Sequence, residues 1–250
     1  MKILCMLCAI LPLAVACFPP VDRSSDDMVI NHGDVDIASE SDARIAAGAA
    51  LTVYLEHASV GGNIWAGLED LEAGNARYDN GNILFYNRGN PGAKNKFDDF
   101  YRRVTLAADP NYRNPADYDV MMTKLCYIDN NYDGFASVTE MYTYYRDMMN
   151  SLESAYPDTV FVWWTIPIME DGNAARDQYN TLIREYCVQN DKYLFDIADI
   201  ECHDPDGNHL TNGGLETMDG SYSDDGGHLN ATGRSRVASA FWALLVRIAE

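Results

Sequence analysis

A serine hydroxyl attacks a carbonyl carbon only when a base takes its proton and a third group holds that base in place. One serine here sits where such chemistry is done. In His57-Ala58-Ser59-Val60-Gly61-Gly62-Asn63-Ile64 an apolar, strand-like run (Leu51–Glu56) stops at Ser59, and helical spacing resumes after two glycines. By itself Ser59 is equally a small polar residue in a tight bend. The chain has five histidines to act as base. His32 falls in an acidic N-terminal stretch, and His57 is two residues from Ser59, fixed in the strand end. His203 and His209 share the loop "ECHDPDGNH". His228 lies in "SDDGGHLNATG" with Asp225 three residues upstream. Across the Gly-Gly turn that aspartate can accept the Nδ1 proton of His228 and leave Nε2 facing a serine. An incidental Asp and His in a glycine-rich surface loop would read the same way locally.

Alternating patterns supply the frame that must bring these residues together. Strands are expected at Leu51–Glu56, Asn82–Tyr86, Asp119–Tyr127, Thr159–Ile166 and Tyr193–Ile197. Helices are expected at Gly62–Glu72, Lys96–Ala107, Val138–Ala155, Ala174–Gln189 and Thr232–Ala249. The runs "VMMTKLCYI" and "TVFVWWTI" are almost continuously apolar, as parallel strands buried on both faces are. The order is that of a doubly wound α/β protein, a three-layer α/β/α sandwich on a five-stranded, mainly parallel sheet. Ligands of such sheets bind beyond the carboxyl ends of the strands, where Ser59 falls.

A serine after the first strand and Asp-x-x-His before the last helix is a layout that resembles the SGNH (GDSL-like) hydrolases. The text around Ser59 is similar to a branch whose nucleophile block reads His-x-Ser-Val-Gly. Further resembling stretches are Gly89-Asn90-Pro91-Gly92-Ala93-Lys94, "KLCYID" (Lys124–Asp129), "LFDIADIECHDPDGN" (Leu194–Asn208) and "DGGHLNATG". The resemblance implies a flavodoxin-like SGNH fold from about Leu51 onward, with Ser59 as nucleophile, His228 as base and Asp225 as its orienting partner. It also implies that the backbone N–H groups of Ser59 and Gly89 receive the oxyanion; the helix entrance after Ser59 suits negative charge independently. One position departs from the family. Ile128 stands where an asparagine side chain would normally complete the oxyanion hole, leaving either Asn90, Asn63 or Asn130 as a substitute or a hole built from backbone donors.

"DNNYDGFASVTE" (Asp129–Glu140) fits the calcium-loop pattern D-x-[DN]-x-[DN]-G-x₅-E. Asp129, Asn131, Asp133, the Phe135 carbonyl and Glu140 would be the ligands of a structural Ca²⁺, with Gly134 at the turn. An apolar strand precedes it instead of a helix, so the competing reading is a βα loop with Ser137 or Thr139 near the helix cap and Glu140 in the first turn. No cofactor is required for the serine chemistry. Trp163 and Trp164 read as strand core, and Asn230 in Asn230-Ala231-Thr232 as a helix cap.

At the N-terminus Lys2, the apolar run Ile3–Ala16 and Ala14-Val15-Ala16 before Cys17 have the form of a signal peptide (1–16). The apolar run is shorter than the roughly 20 residues of a membrane span. "LAVAC" also resembles a lipobox with Cys17 as the lipidated residue, so secretion and lipid anchoring are both expected destinations outside the cytoplasm. Residues 17–44 are acidic and contain Pro and Ser, the composition of a flexible tether before one domain at 45–250. Cys187 and Cys202 are a candidate disulfide in that oxidising setting, and Cys126 reads as core. A net charge of −20 over 250 residues argues against nucleic acid or an anionic membrane as partner.

These readings converge on an exported serine esterase acting on a small-molecule or glycan ester, with O-acetylated carbohydrate the preferred class by family analogy. The alternative is a non-catalytic, cell-surface binding module on the same fold, calcium-stabilised, for which the missing asparagine would be the sign.

Overall fold

Side chains on a strand alternate between faces, and here both faces are apolar. Val53, Leu55, Val162 and Trp164 belong to one core, while their neighbours Tyr54, Phe161 and Trp163 belong to another. Only a sheet covered on both sides satisfies that pattern.

A computed structural model describes residues 25–131 and 134–250. Its strands are β1 (Val29–Ile30), β2 (Val53–His57), β3 (Ile83–Asn87), β4 (Val120–Thr123), β5 (Val160–Trp164), β6 (Leu194–Phe195), β7 (Thr211–Asn212) and β8 (Leu215–Glu216). Its α-helices are α1 (Asp42–Ala49), α2 (Val60–Gly74), α3 (Ala93–Thr105), α4 (Val138–Ala155), α5 (Ala174–Gln189), α6 (Ile197–Glu201) and α7 (Ala231–Ile248). Among the described residues the main sheet runs β1-β6-β5-β4-β2-β3, with every pairing parallel. The pair β7–β8 is a small antiparallel hairpin. Helices α1, α2 and α7 cover one face, and α3, α4 and α5 the other.

The five strands expected from sequence are all present, in the flavodoxin-like order β3-β2-β4-β5-β6. Helices α4 and α5 have the expected bounds. The sheet has six strands, however. Val29 and Ile30 pair with Leu194 and Phe195 and extend the edge. Ile30 and Ile37 are buried, so the stretch from Val29 is packed structure and no tether, which corrects the reading of 17–44 as flexible over its described part. Ile30 and Ile37 dock it, together with the His32–Asp199 and Asp34–Arg247 contacts. The signal-peptide and lipid-anchor readings, Cys17 included, lie outside the described residues. No described helix is long and apolar enough to cross a membrane.

The expected Cys187–Cys202 disulfide is also corrected. Both thiols are free and buried, with Cys187 in the core under α5 and Cys202 in the core on the opposite face of the sheet. The sheet itself keeps them apart. Cys126 is a buried, free thiol as expected. Asn230 caps α7 through the N–H groups of Thr232 and Gly233.

Candidate active site

The order reverses between β2 and β4, and the crevice at their carboxyl ends is where this architecture holds ligands. Ser59 follows β2 there. Its backbone has φ 52° and ψ −115°, one of two positive-φ non-glycine residues among those described. A serine in that region carries backbone strain of order 1–3 kcal/mol. Ser59 is the N-cap of α2, yet its hydroxyl makes no cap hydrogen bond. Ser59 Oγ lies instead 2.7 Å from His228 Nε2.

His228 arrives from the opposite end of the chain, in the loop before α7. Asp225 holds it twice. Asp225 Oδ1 accepts the backbone N–H groups of Gly227 (3.0 Å) and His228 (2.7 Å), and Oδ2 lies 2.8 Å from His228 Nδ1. The backbone N–H of His228, its side chain and the N–H of Gly227 together hold the Asp225 carboxyl well below the usual carboxylate range. A proton on Nδ1 directed at Asp225 leaves Nε2 as acceptor for the Ser59 hydroxyl. The structure thus brings together the three residues singled out in the sequence, in the expected order of contacts.

The strand ends around Ser59 are charged and buried. Lys124, fully enclosed after β4, donates to the carbonyls of Ala58 (3.3 Å) and Leu125 (2.9 Å). Arg88 Nη2 donates to the Lys124 carbonyl at 2.5 Å, while its Nε and Nη1 are buried without partners. Burial pushes the His57 imidazole down to about 4, with Lys124 and Arg88 adding to the shift. His57 is therefore neutral. It packs against the start of α2, where a Cβ on Gly61 would stand 2.4 Å from His57 Cβ.

The oxyanion side differs in part from expectation. The N–H groups of Ser59 and Val60 open α2 ahead of its first tight bonds, Gly61 to Ala58 (3.1 Å) and Gly62 to Ser59 (2.7 Å). Gly89 lies just past the ladder bond from Arg88 N–H to the His57 carbonyl (3.0 Å), but its own N–H donates to Asn87 Oδ1 at 3.0 Å. Asn90 is exposed on that loop, and Asn63 Oδ1 is buried within α2 without a partner. Ile128 is turned to solvent. Sequence reasoning passed over its neighbour Tyr127, whose hydroxyl lies 3.2 Å from His228 Nδ1 and 3.3 Å from Nε2.

Of the calcium-pattern residues, Asp129, Phe135 and Glu140 are described, and both carboxylates have partners within the chain. Asp129 is buried; its Oδ2 accepts the Lys96 ammonium and the Cys126 N–H (2.7 Å), and its Oδ1 has no partner. Glu140 Oε2 accepts the Ala136 N–H at 2.6 Å while Ser137 caps α4 through the Glu140 N–H. Phe135 lies against Phe97 and Tyr144. Asp133 and the Asn131 side chain lie outside the described residues. Among those described, His32, Asp199 and His203 form a group of metal-capable side chains, as do Cys202, His209 and Glu216. The His32 and His203 rings stack at 3.5 Å with planes 12° apart. Their in-plane lone pairs therefore run side by side instead of converging on one ion.

The chain aligns with the structure of a protein described as lipolytic and of the G-D-S-L family, from Desulfitobacterium hafniense DCB-2. The alignment has 12% identity, covers 77% of this chain and 99% of that one, and gives a TM-score of 0.52. The chain has the SGNH-hydrolase fold. A protein described as a platelet activating factor from Streptococcus pneumonia aligns at TM-score 0.49, with 13% identity over 77% of this chain and 82% of that one. A carbohydrate esterase family 3 protein from Talaromyces cellulolyticus aligns at 0.47, with 13% identity over 79% and 96%. No protein-family model and no curated protein matches the sequence. Ser59 and the Asp225–His228 pair lie at the carboxyl end of the sheet, and Tyr127 precedes Ile128 in the segment after β4.

Proposed function

We propose that the protein is an exported serine ester hydrolase. The observation that carries this reading is the relay Ser59 Oγ to His228 Nε2 (2.7 Å) and His228 Nδ1 to Asp225 Oδ2 (2.8 Å) at the switch point of an SGNH fold. In the proposed reaction Ser59 Oγ bonds to the ester carbonyl carbon as its proton passes to Nε2. The carbonyl π pair moves onto oxygen, where the N–H groups at the start of α2 face it. The C–O bond to the leaving alcohol then breaks, and the alcohol takes the proton from Nε2. Water attacks the acyl-enzyme with His228 again as base, releasing the acid and restoring Ser59. Asp225 holds the tautomer and offsets the imidazolium charge. By the family resemblance we assign an O-acetylated carbohydrate as the substrate class, and by the N-terminal pattern a destination outside the cytoplasm.

Hydrolysis of p-nitrophenyl acetate by the purified protein and by Ser59→Ala tests the chemistry. The substitution should abolish turnover and labelling by a fluorophosphonate. Equal rates in both proteins would overturn the catalytic reading in favour of a binding module. Release of acetate from acetylated xylan against release from short-chain glycerides tests the substrate class.

A further inference from the structure

Tyr127 opens the 3-10 turn (Tyr127–Asn131) that follows β4 and lies against His228. Its ring meets the His228 imidazole edge-on, with centroids 5.3 Å apart and planes at 79°. Its hydroxyl lies 3.2 and 3.3 Å from Nδ1 and Nε2 of the imidazole, and Nε2 is in turn 2.7 Å from Ser59 Oγ. Both in-plane positions of the imidazole are already used, Nδ1 by Asp225 and Nε2 by Ser59. The phenol therefore adds nothing to the orientation of His228 that Asp225 does not supply. What it adds is an O–H beside the serine oxygen.

The approach is built into the chain. At Gly227 a Cβ would stand 3.0 Å from Tyr127 Cζ, so glycine there lets the ring lie against the Asp225–His228 turn. The Tyr127 carbonyl accepts Arg176 Nη1 at 3.4 Å, which ties the backbone to the first turn of α5. Burial, and then the charge of Asp225, raise the phenol's affinity for its proton, so the group remains a donor at neutral pH.

We propose that Tyr127 is a further catalytic residue, whose hydroxyl donates to the oxyanion that forms when Ser59 Oγ bonds to the substrate carbonyl. It does there the work that the asparagine does in other SGNH proteins. A donor 3.3 Å from Nε2, the atom that is itself 2.7 Å from Oγ, lies within a small rotation of the carbon that Oγ attacks. As the Oγ–C bond forms, the serine proton goes to Nε2 and the π pair to the carbonyl oxygen. The tyrosine O–H turns from the imidazole to that oxygen without giving up its proton. The departure at Ile128 is then a displacement of the donor by one residue along the same strand end. This assignment rests on the serine-hydrolase reading above.

Tyr127→Phe keeps the ring and removes only the donor. Loss of one such donor costs about 10²-fold in kcat, so the variant should lose on that order with KM within a few-fold and an unchanged melting temperature. Affinity for phenylboronic acid, which forms a tetrahedral anionic adduct on the serine, should fall by a similar factor. A hydroxyl with a merely structural role would shift the melting temperature and leave the boronate affinity alone. Tyr127→Phe with wild-type kcat and wild-type boronate affinity would overturn the assignment. Ser59→Ala run in parallel separates the two readings: an active Ser59→Ala sinks both, whereas an inactive Ser59→Ala beside a fully active Tyr127→Phe sinks only the tyrosine.

Discussion

The ammonium group of Lys124 and the Sγ of Cys126 each lie 3.3 Å from the carbonyl oxygen of Ala58, the residue before Ser59. In a trans peptide the carbonyl and the next N–H point in opposite directions. Anchoring the Ala58 carbonyl in the core therefore turns the Ser59 N–H outward. Lys124→Met retains the apolar stem and deletes the donors. It should lower kcat at least about tenfold through misplacement of Ser59, and cost about 1–3 kcal/mol in urea denaturation because buried carbonyls lose their partner.

Asp225→Asn preserves an oxygen for the backbone N–H groups of Gly227 and His228 but turns an amide toward Nδ1. The imidazole then settles in the wrong tautomer, which in a buried triad costs about 10⁴ in kcat. The Asp225 side chain is 57% exposed, so water shares its role. A loss nearer about 10² is expected, read as kcat on p-nitrophenyl acetate with the melting temperature as control.

Two buried groups set the pH dependence of stability. Burial raises the Glu201 carboxyl to about 8; its Oε2 accepts the Ile168 N–H at 2.7 Å and its Oε1 has no partner, with Lys124 and Arg176 opposing the shift. His57 is held down at about 4. The folded chain keeps the Glu201 proton where the unfolded chain has lost it, so this group's contribution declines from about pH 4.5 up to about 8. The unfolded chain protonates His57 first, so that contribution declines as pH falls from about 6.5 to about 4. Between about 4.5 and 6.5 the slopes oppose each other. Unfolding free energies should form a plateau there and drop toward pH 8 by roughly 1–2 kcal/mol. Glu201→Gln should flatten the alkaline limb, and an unchanged limb would contradict the account.

Helix α2 reaches α7 at a glycine. A Cβ on Gly67 would stand 2.4 Å from the Arg234 carbonyl oxygen and 2.9 Å from Ala238 Cβ. Backbone cannot yield as a side-chain end can, so Gly67→Ala should destabilise by about 1–3 kcal/mol. Both helices also carry the site, Ser59 at the start of one and His228 just before the other, so activity should fall with stability. Thermal melts and kcat on the same preparation check this.

The alternation of strands and helices was legible because periodicity is a local signal, whereas the pairing of Ser59 with Asp225 and with His228, the latter 169 residues away, was legible only through the resemblance of the sequence blocks to SGNH hydrolases. The docking of Val29 and Ile30 was not, since two apolar residues in an acidic stretch carry no periodicity, and only β6 defines what they pair with. Cys187 and Cys202 looked like neighbours in sequence, but facing is a tertiary property and the sheet lies between them. Asp129 matched a ligand pattern whose regular expression cannot register a lysine 33 residues upstream. Tyr127 carries no sequence signal of its own, since it sits beside Ile128 outside any periodic run. Nothing local states which of two adjacent side chains turns inward.

Val29 and Ile30 also decide how short this protein can be made. They cover the outer side of β6, and His32 fastens the segment by its backbone N–H (2.9 Å) and its Nδ1 (2.5 Å) to Asp199. A chain begun at residue 27 would retain that cover. One begun at residue 33 would leave the N–H and C=O row of β6 open and an empty socket where Ile30 had been, and unpaired edges recruit other chains. The shorter product should therefore come off a sizing column as aggregate, with the catalytic residues themselves untouched.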